Sequence, residues 1–179
     1  MHWSDSLLAI LKDNDIRLTA YVPDNVLTPL IAGVYADNYF LPVAATREDE
    51  AIGTAAGAYM AGMRGAVMMQ TSGFALIANA LASLVLPYQI ATVMVISERG
   101  TMGEFNIGQS LVARTMRPVL ETLGIAHHTL TDEANMPFIA DSAIKQAYAT
   151  QAPVALILSP LLTGGNPAAK AKLKLPKPS

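Results

Sequence analysis

The sequence predicts an α/β fold, a three-layer doubly wound domain whose six-stranded parallel sheet is flanked by helices. Short apolar runs of β type alternate with amphipathic stretches along almost the whole chain, the pattern of a parallel sheet covered on both faces. The segments that follow the strands are polar or glycine-rich, as expected where a doubly wound sheet receives its ligand. At 179 residues the chain has the length of one ordinary domain.

Taken in order, the strands are expected at Leu18–Val22, Phe40–Val43, Gly65–Gln70, Ala91–Ser97, Ala126–Leu130 and Val154–Leu158. The helices fit Ser4–Asp13, Asn25–Ala36, Glu48–Met63, Phe74–Leu84, Gln109–Leu123 and Glu133–Thr150. Ser4 is expected to cap the first helix, and Gly124 to stop the fifth. Pro118 lacks an N–H and clashes with the preceding turn, so the fifth helix is expected to kink or to start later. The domain is expected to span residues 1–163. Residues 164–179, with Lys170, Lys172, Lys174 and Lys177 spaced by Ala and Pro, read as a flexible basic tail.

Composition narrows the function. A net charge of -2 and a pI near 5.9 give no clustered basic surface for nucleic acid. Hydrophobic residues reach 52% with a mean hydropathy of +0.35, yet each apolar run breaks before the ~20 residues of a membrane span. A soluble, cytoplasmic protein with an unusually apolar interior or a large buried interface is the expectation, with no secretory signal at its amino end. Cysteine is absent, which excludes disulfides, thiol nucleophiles and zinc-thiolate sites.

The loops after the strands hold the candidate chemistry. Thr46-Arg47-Glu48-Asp49-Glu50 puts three carboxylates in the first turn of a helix. There they gain roughly 0.3–1 kcal/mol each from the helix dipole with no catalytic role. Behind them Ala51, Gly53, Ala55, Ala56, Gly57, Ala58, Ala61 and Gly62 allow close approach, so a carboxylate here can be desolvated and poised for proton transfer. Asp24, after Pro23, can cap the next helix or touch a substrate, and the two roles are compatible. Gln70-Thr71-Ser72-Gly73 joins a strand to a helix, where glycine permits a tight turn.

Taken together, Glu48, Ala51, Ala55-Ala56-Gly57, Gln70-Thr71-Ser72-Gly73 and Asn79-Ala80-Leu81 resemble the pyrimidine-binding domain of thiamine-diphosphate enzymes. Among these enzymes it resembles the sulfopyruvate and phosphonopyruvate decarboxylases, over roughly residues 4 to 160. The resemblance implies that Glu48, nine residues before Gly57, hydrogen-bonds the pyrimidine N1′ and drives the aminopyrimidine into its imino tautomer. Asp49 and Glu50 stay as alternatives through a slip of register. Gln70, Thr71, Ser72 and Gly73 would line the cofactor, with Thr71 standing where the family usually has Asn. Asp24, Asn25 and Gln109 would meet the substrate.

The segment Glu98 to Gly108 resembles the family's glycine-rich loop ahead of a glutamine, although a plain surface loop accounts for its glycines equally. Arg99 or Arg114 could pair with a sulfonate or phosphonate. His127 and His128 fall within a strand, which sends the two rings to opposite faces and favours a structural role over a catalytic one.

A Gly-Asp-Gly motif, the magnesium and diphosphate anchor of complete enzymes of this class, does not occur. The resemblance therefore implies a split enzyme. This chain would be the α subunit, and a diphosphate-binding β subunit would hold Mg²⁺ and complete the thiamine diphosphate site in a hetero-oligomer. The implied reaction takes 3-sulfopyruvate to sulfoacetaldehyde and CO2. Phosphonopyruvate and other carbanion chemistry on the same cofactor are alternatives, and a non-catalytic binding module is an alternative of another class. A flavodoxin-like domain would need a phosphate-cradling loop after the first strand, for which Pro23-Asp24-Asn25 is a poor candidate.

Overall fold

The computed structural model describes residues 2–102 and 107–165. Gly103 to Asn106 of the glycine-rich loop and residues 166–179 of the basic tail lie outside the described residues.

Six strands, β1 (Ile16–Tyr21), β2 (Leu41–Ala44), β3 (Arg64–Gln70), β4 (Val93–Ser97), β5 (Ala126–Leu130) and β6 (Val154–Leu158), form one parallel sheet. Their order is β2-β1-β3-β4-β6-β5. The inner strands β4 and β6 are buried at every position, which is why they read as unbroken apolar runs, whereas the edge strands β2 and β5 are mostly half-buried or exposed. Helices α1 (Trp3–Asp13), α2 (Thr28–Ala36) and α7 (Met136–Thr150) close a core on one face. On the other face, α3 (Glu48–Met60), α4 (Thr71–Phe74), α5 (Ala78–Ala80) and α6 (Ile107–Thr122) cover the second core. A final turn, α8 (Pro160–Thr163), ends at Gly164.

Each predicted strand is present in the parallel sheet, β5 and β6 with the expected bounds and the others with ends moved by no more than two residues. β1 starts two residues early because its register against β3 shifts between Ile16 and Leu18. Helix starts differ for local reasons. Asp24 Oδ1 accepts from the N–H groups of Val26 and Leu27, and Asp132 Oδ1 does the same for Ala134 and Asn135. Both hold the chain in a turn, so α2 begins at Thr28 and α7 at Met136 instead of Asn25 and Glu133. α3 stops at Met60, not Met63, because Gly62 adopts φ 83° and lets Met63 N–H return to Ala58 O.

Three expectations need correction. The cap of α1 is His2, whose Nδ1 lies 2.7 Å from Ser4 Oγ and accepts from Ser4 N–H; Ser4 itself sits inside the helix, buried. α6 starts at Ile107, earlier than predicted, and continues as one helix across Pro118, forgoing the bond that residue's missing N–H would make. The single helix expected at Phe74–Leu84 is broken into α4, α5 and a π-helical turn at Leu81–Val85. Wide i to i+5 bonds, Leu86 N–H to Leu81 O and Ile90 N–H to Val85 O, let Ile77, Leu81 and Val85 all bury completely. Gly124, with φ 67°, follows the end of α6 as expected.

Candidate active site

In this strand order β1 has β2 on one side and β3 on the other, so the connections leave in opposite directions and a crevice opens beyond the ends of β1 and β3. The segments after β1, β2 and β3 meet there. They carry Asp24 and Asn25, Glu48, and Gln70 to Gly73.

Glu48 is the first residue of α3 and is 7% exposed. Its two acidic neighbours point elsewhere. Asp49 takes both arms of the Arg47 guanidinium at 3.0 and 3.1 Å, which holds its carboxyl below the usual range. Glu50 Oε2 accepts from Thr46 N–H at 2.8 Å and fastens the start of the helix. Glu48 turns inward onto Gly73, where a methyl group would overlap its carboxylate. Among the described residues no hydrogen bond reaches that carboxylate. A buried carboxylate facing a glycine turn, with its acceptor capacity unused, fits the edge of a flat nitrogen heterocycle that brings its own donor.

Gln70 and Ser97 are register partners at the ends of β3 and β4. Thr71, fully buried, donates from Oγ1 to Ser97 O at 3.1 Å and accepts from Arg99 N–H at 2.9 Å. The departure from Asn at this position thus has a local reason. Thr71 joins β3 to the chain after β4, while half-buried Ser72 and Gly73 follow in α4.

Asp24 does cap the chain leading into α2, and it does more. Its Oδ1 also accepts from Ser97 Oγ at 2.9 Å, and its Oδ2 pairs with Arg99 Nη1 at 2.9 Å. Arg99 Nη1 further lies 3.5 Å from Gln70 Oε1. Asn25 is exposed and, with Tyr21, Pro23, Asp24 and Thr28, lines a cleft of about 340 Å³. Burial and a hydrogen bond with Tyr35 push the Tyr21 hydroxyl up to about 12. Of the two arginines considered for an oxyanion, Arg99 is engaged with Asp24. Arg114 is exposed on α6, beside an apolar groove of about 470 Å³ flanked by Ala78, Ala82 and Pro118.

The segment after β4 is anchored at its start. Arg117 Nη1 donates to Glu98 Oε1 at 2.6 Å and Nη2 donates to Thr129 Oγ1 at 3.0 Å. Gly100, with φ 79°, packs on the Gln109 carbonyl so closely that no side chain fits. Gln109 is half-buried in the first turn of α6, and its Oε1, like Thr101 Oγ1, is buried without a partner among the described residues. His127 is held by the Ile125 carbonyl at 3.1 Å, and neither strand histidine belongs to this cluster. Sequence reasoning missed Ser97, Glu98 and Arg117 as parts of the scaffold. The one signal was Ser97, a polar residue closing an otherwise apolar strand.

A glutamate set against a glycine turn at the switch point of a parallel sheet defines a class, the doubly wound α/β domains that take a ligand beyond their strand ends. In solved structures the fold is similar to 2-oxoglutarate:ferredoxin oxidoreductase from Magnetococcus marinus, with a TM-score of 0.70 and 15% identity over 91% of this chain and 29% of that one. No protein-family model matches. Sequence comparison is more specific. The chain is 40% identical over 126 residues to the sulfopyruvate decarboxylase subunit alpha of Methanothermobacter thermautotrophicus, covering 70% of this chain and 76% of that one. It is 35% identical to that of Methanocaldococcus jannaschii, over 90% of this chain and 95% of its relative. A phosphonopyruvate decarboxylase of Streptomyces viridochromogenes is 33% identical over 138 residues, and this chain spans 35% of its length. The chain belongs to the sulfopyruvate decarboxylase alpha-subunit family.

Proposed function

We propose that this chain is the α subunit of a split, thiamine-diphosphate-dependent decarboxylase acting on 3-sulfopyruvate, with phosphonopyruvate as the alternative substrate. One observation carries the reading. In a chain of this family, Glu48 alone of three adjacent acidic residues is turned inward, without a hydrogen bond among the described residues, onto a glycine whose missing side chain leaves room for its carboxylate.

Thiamine diphosphate, when bound, supplies the centre that stabilises the electron pair left by departing CO2. Glu48 would face the pyrimidine ring and exchange a proton with it, and the start of α3 sets the direction of its carboxylate. Gln70 to Gly73 form the turn beside it, and Thr71 fixes that turn to the end of β4. Asp24, Asn25 and Gln109 border the approach for a small 2-oxoacid. The Oε1 of Gln109 is buried and has no partner among the described residues, which supports a polar contact with a ligand.

Mg²⁺ and the diphosphate would be held by a β subunit, in a hetero-oligomer of the cytoplasm. Among the described residues no helix is long and apolar enough to cross a membrane, and no three metal-binding side chains converge.

The test is to co-purify this chain with its diphosphate-binding partner. Thiamine diphosphate and Mg²⁺ are then added and CO2 release is measured from 3-sulfopyruvate and phosphonopyruvate, with each chain alone as control. Release only from the mixture supports the split enzyme and names its acid. A complex that binds cofactor but leaves both acids intact sinks the substrate assignment. Absence of both complex and cofactor binding sinks the enzymatic reading in favour of a binding module.

A further inference from the structure

Helix α6 turns Ala113, Met116 and Leu120 onto the sheet and points Pro118 the opposite way. Around Pro118 the outward face carries Leu111, Arg114, Glu121 and Thr122, all exposed. Leu111 is 68% exposed, an apolar knob facing away from its own core. Along one side of the same face runs the apolar groove of about 470 Å³, walled by Ala78 and Ala82 on one side and by Thr122 and Leu123 on the other. The charges on this face are spaced for a partner outside the helix. Lys145 and Asp141, four apart on α7, pair with each other. Arg114 and Glu121 stand seven apart, about 10 Å along the axis, and neither has an ion pair among the described residues. Arg117, the other cation of α6, is committed to Glu98 and Thr129.

A two-fold axis uses such spacing. When it crosses α6 between Arg117 and Pro118 and the second helix runs antiparallel, Arg114 stands level with Glu121 of the other copy, on the same flank, and the pairing occurs twice. Leu111 then reaches the far end of the other helix, where Thr122 and Leu123 line the groove. Knob, groove and opposite charges on this one face are complementary to the same face turned over. We propose that the outward face of α6 is a self-association surface, on which two copies of the chain pack α6 against α6 with reciprocal Arg114–Glu121 pairs and with Leu111 seated in the neighbour's groove.

The test is made on the full chain alone, so its result does not depend on the decarboxylase reading. Sedimentation velocity at micromolar concentrations should show a concentration-dependent shift from the 18.9 kDa chain to a dimer. Arg114→Glu and Glu121→Arg should each weaken that dimer about tenfold, because each change acts twice across the axis and turns attraction into repulsion. Mixing the two single variants, or combining both changes in one chain, should bring the affinity back to within about threefold of wild type, since either arrangement again sets opposite charges across the axis.

A second measurement reads the geometry directly. The chain has no cysteine, so an introduced one reports on its own twin. With helix axes about 10 Å apart and Cα atoms about 2.3 Å from each axis, position 118 and its symmetry mate stand about 5 Å apart, within reach of a disulfide. Pro118→Cys should therefore form a covalent dimer under oxidised glutathione, whereas Ala149→Cys, exposed on α7 across the sheet, should not. A wild-type chain that stays monomeric, single charge variants that dimerise as tightly as wild type, or a mixture of the two that stays monomeric overturns the proposal. If a charge variant fails to fold, Pro118→Cys decides: a covalent dimer supports the proposal and its absence overturns it.

Discussion

The two ends of the sheet use polar side chains in opposite ways. At the amino end they close on one another. Asn14 donates to Ile10 O and to Asp141, Arg64 donates to Asn14 O, and the Tyr148 hydroxyl bonds both the N–H and the carbonyl of Gly65, with the Arg64 guanidinium 4.3 Å over the Tyr148 ring. At the carboxyl end an equally dense network, from Asp24 through Arg99 to Thr71, is bordered by groups left open: the Glu48 carboxylate, Gln109 Oε1 and Thr101 Oγ1. Among the described residues Thr19 Oγ1 within β1 and His128 Nε2 within β5 also lack a partner, so what sets the carboxyl end apart is that its open groups border the crevice where a doubly wound sheet receives a ligand.

This contrast is broken most severely at Glu48. Glu48→Gln should lower decarboxylation in the assembled complex by at least roughly 10²-fold, the lower range for loss of a general acid–base group, while melting of the free chain stays unchanged. Comparable loss of turnover with a collapsed melting temperature would place Glu48 among structural residues. Next is Gly73→Ala. The methyl would displace the end of a flexible side chain, so the fold should survive while Glu48 swings aside, and cofactor affinity should fall about tenfold or more by calorimetry. Unchanged cofactor affinity would show that the contact does not shape the site.

At the amino end, Tyr148→Phe should cost about 1–2 kcal/mol in urea unfolding, since the Gly65 N–H loses its acceptor, with turnover unaffected. An activity loss without a stability loss would contradict the division. The smallest effect is with pH. Asp132 is held below the ordinary carboxylate range by the N–H of Asn135, and Asp141 by Lys145. Their contribution is present above the unfolded pKa, about 4, and is lost as pH falls through the depressed folded values. Urea midpoints should therefore decline between about pH 5 and about pH 2, and Asp141→Asn should flatten part of that slope.

Much of the fold was readable because the inner strands are buried on both faces and spell continuous apolar runs. The Phe74–Leu84 segment misled because its apolar residues suit a regular helix; only the demand that Ile77, Leu81 and Val85 all reach the sheet reveals the wider turn. Glu48 could be picked out by resemblance, whereas its separation from Asp49 and Glu50 depends on where Arg47 and Thr46 direct their donors. Arg99 was visible as a cation after a strand. Its partner, 75 residues away in sequence, was not. Pairings across strand ends carry no local periodicity, so side-chain networks of this kind remain hidden until the sheet order is known.

Gly53 and Gly57 sit one turn apart on α3, exposed, with open space where a side chain would project. Each lowers helix stability by about 0.8–1.0 kcal/mol relative to Ala. No contact within the described residues offsets that loss, so the free chain tolerates a weakened helix directly behind Glu48. Any surface that packs against those two positions restores the deficit by mass action, and the rigidity of the Glu48 helix then becomes a function of how much of that surface is present.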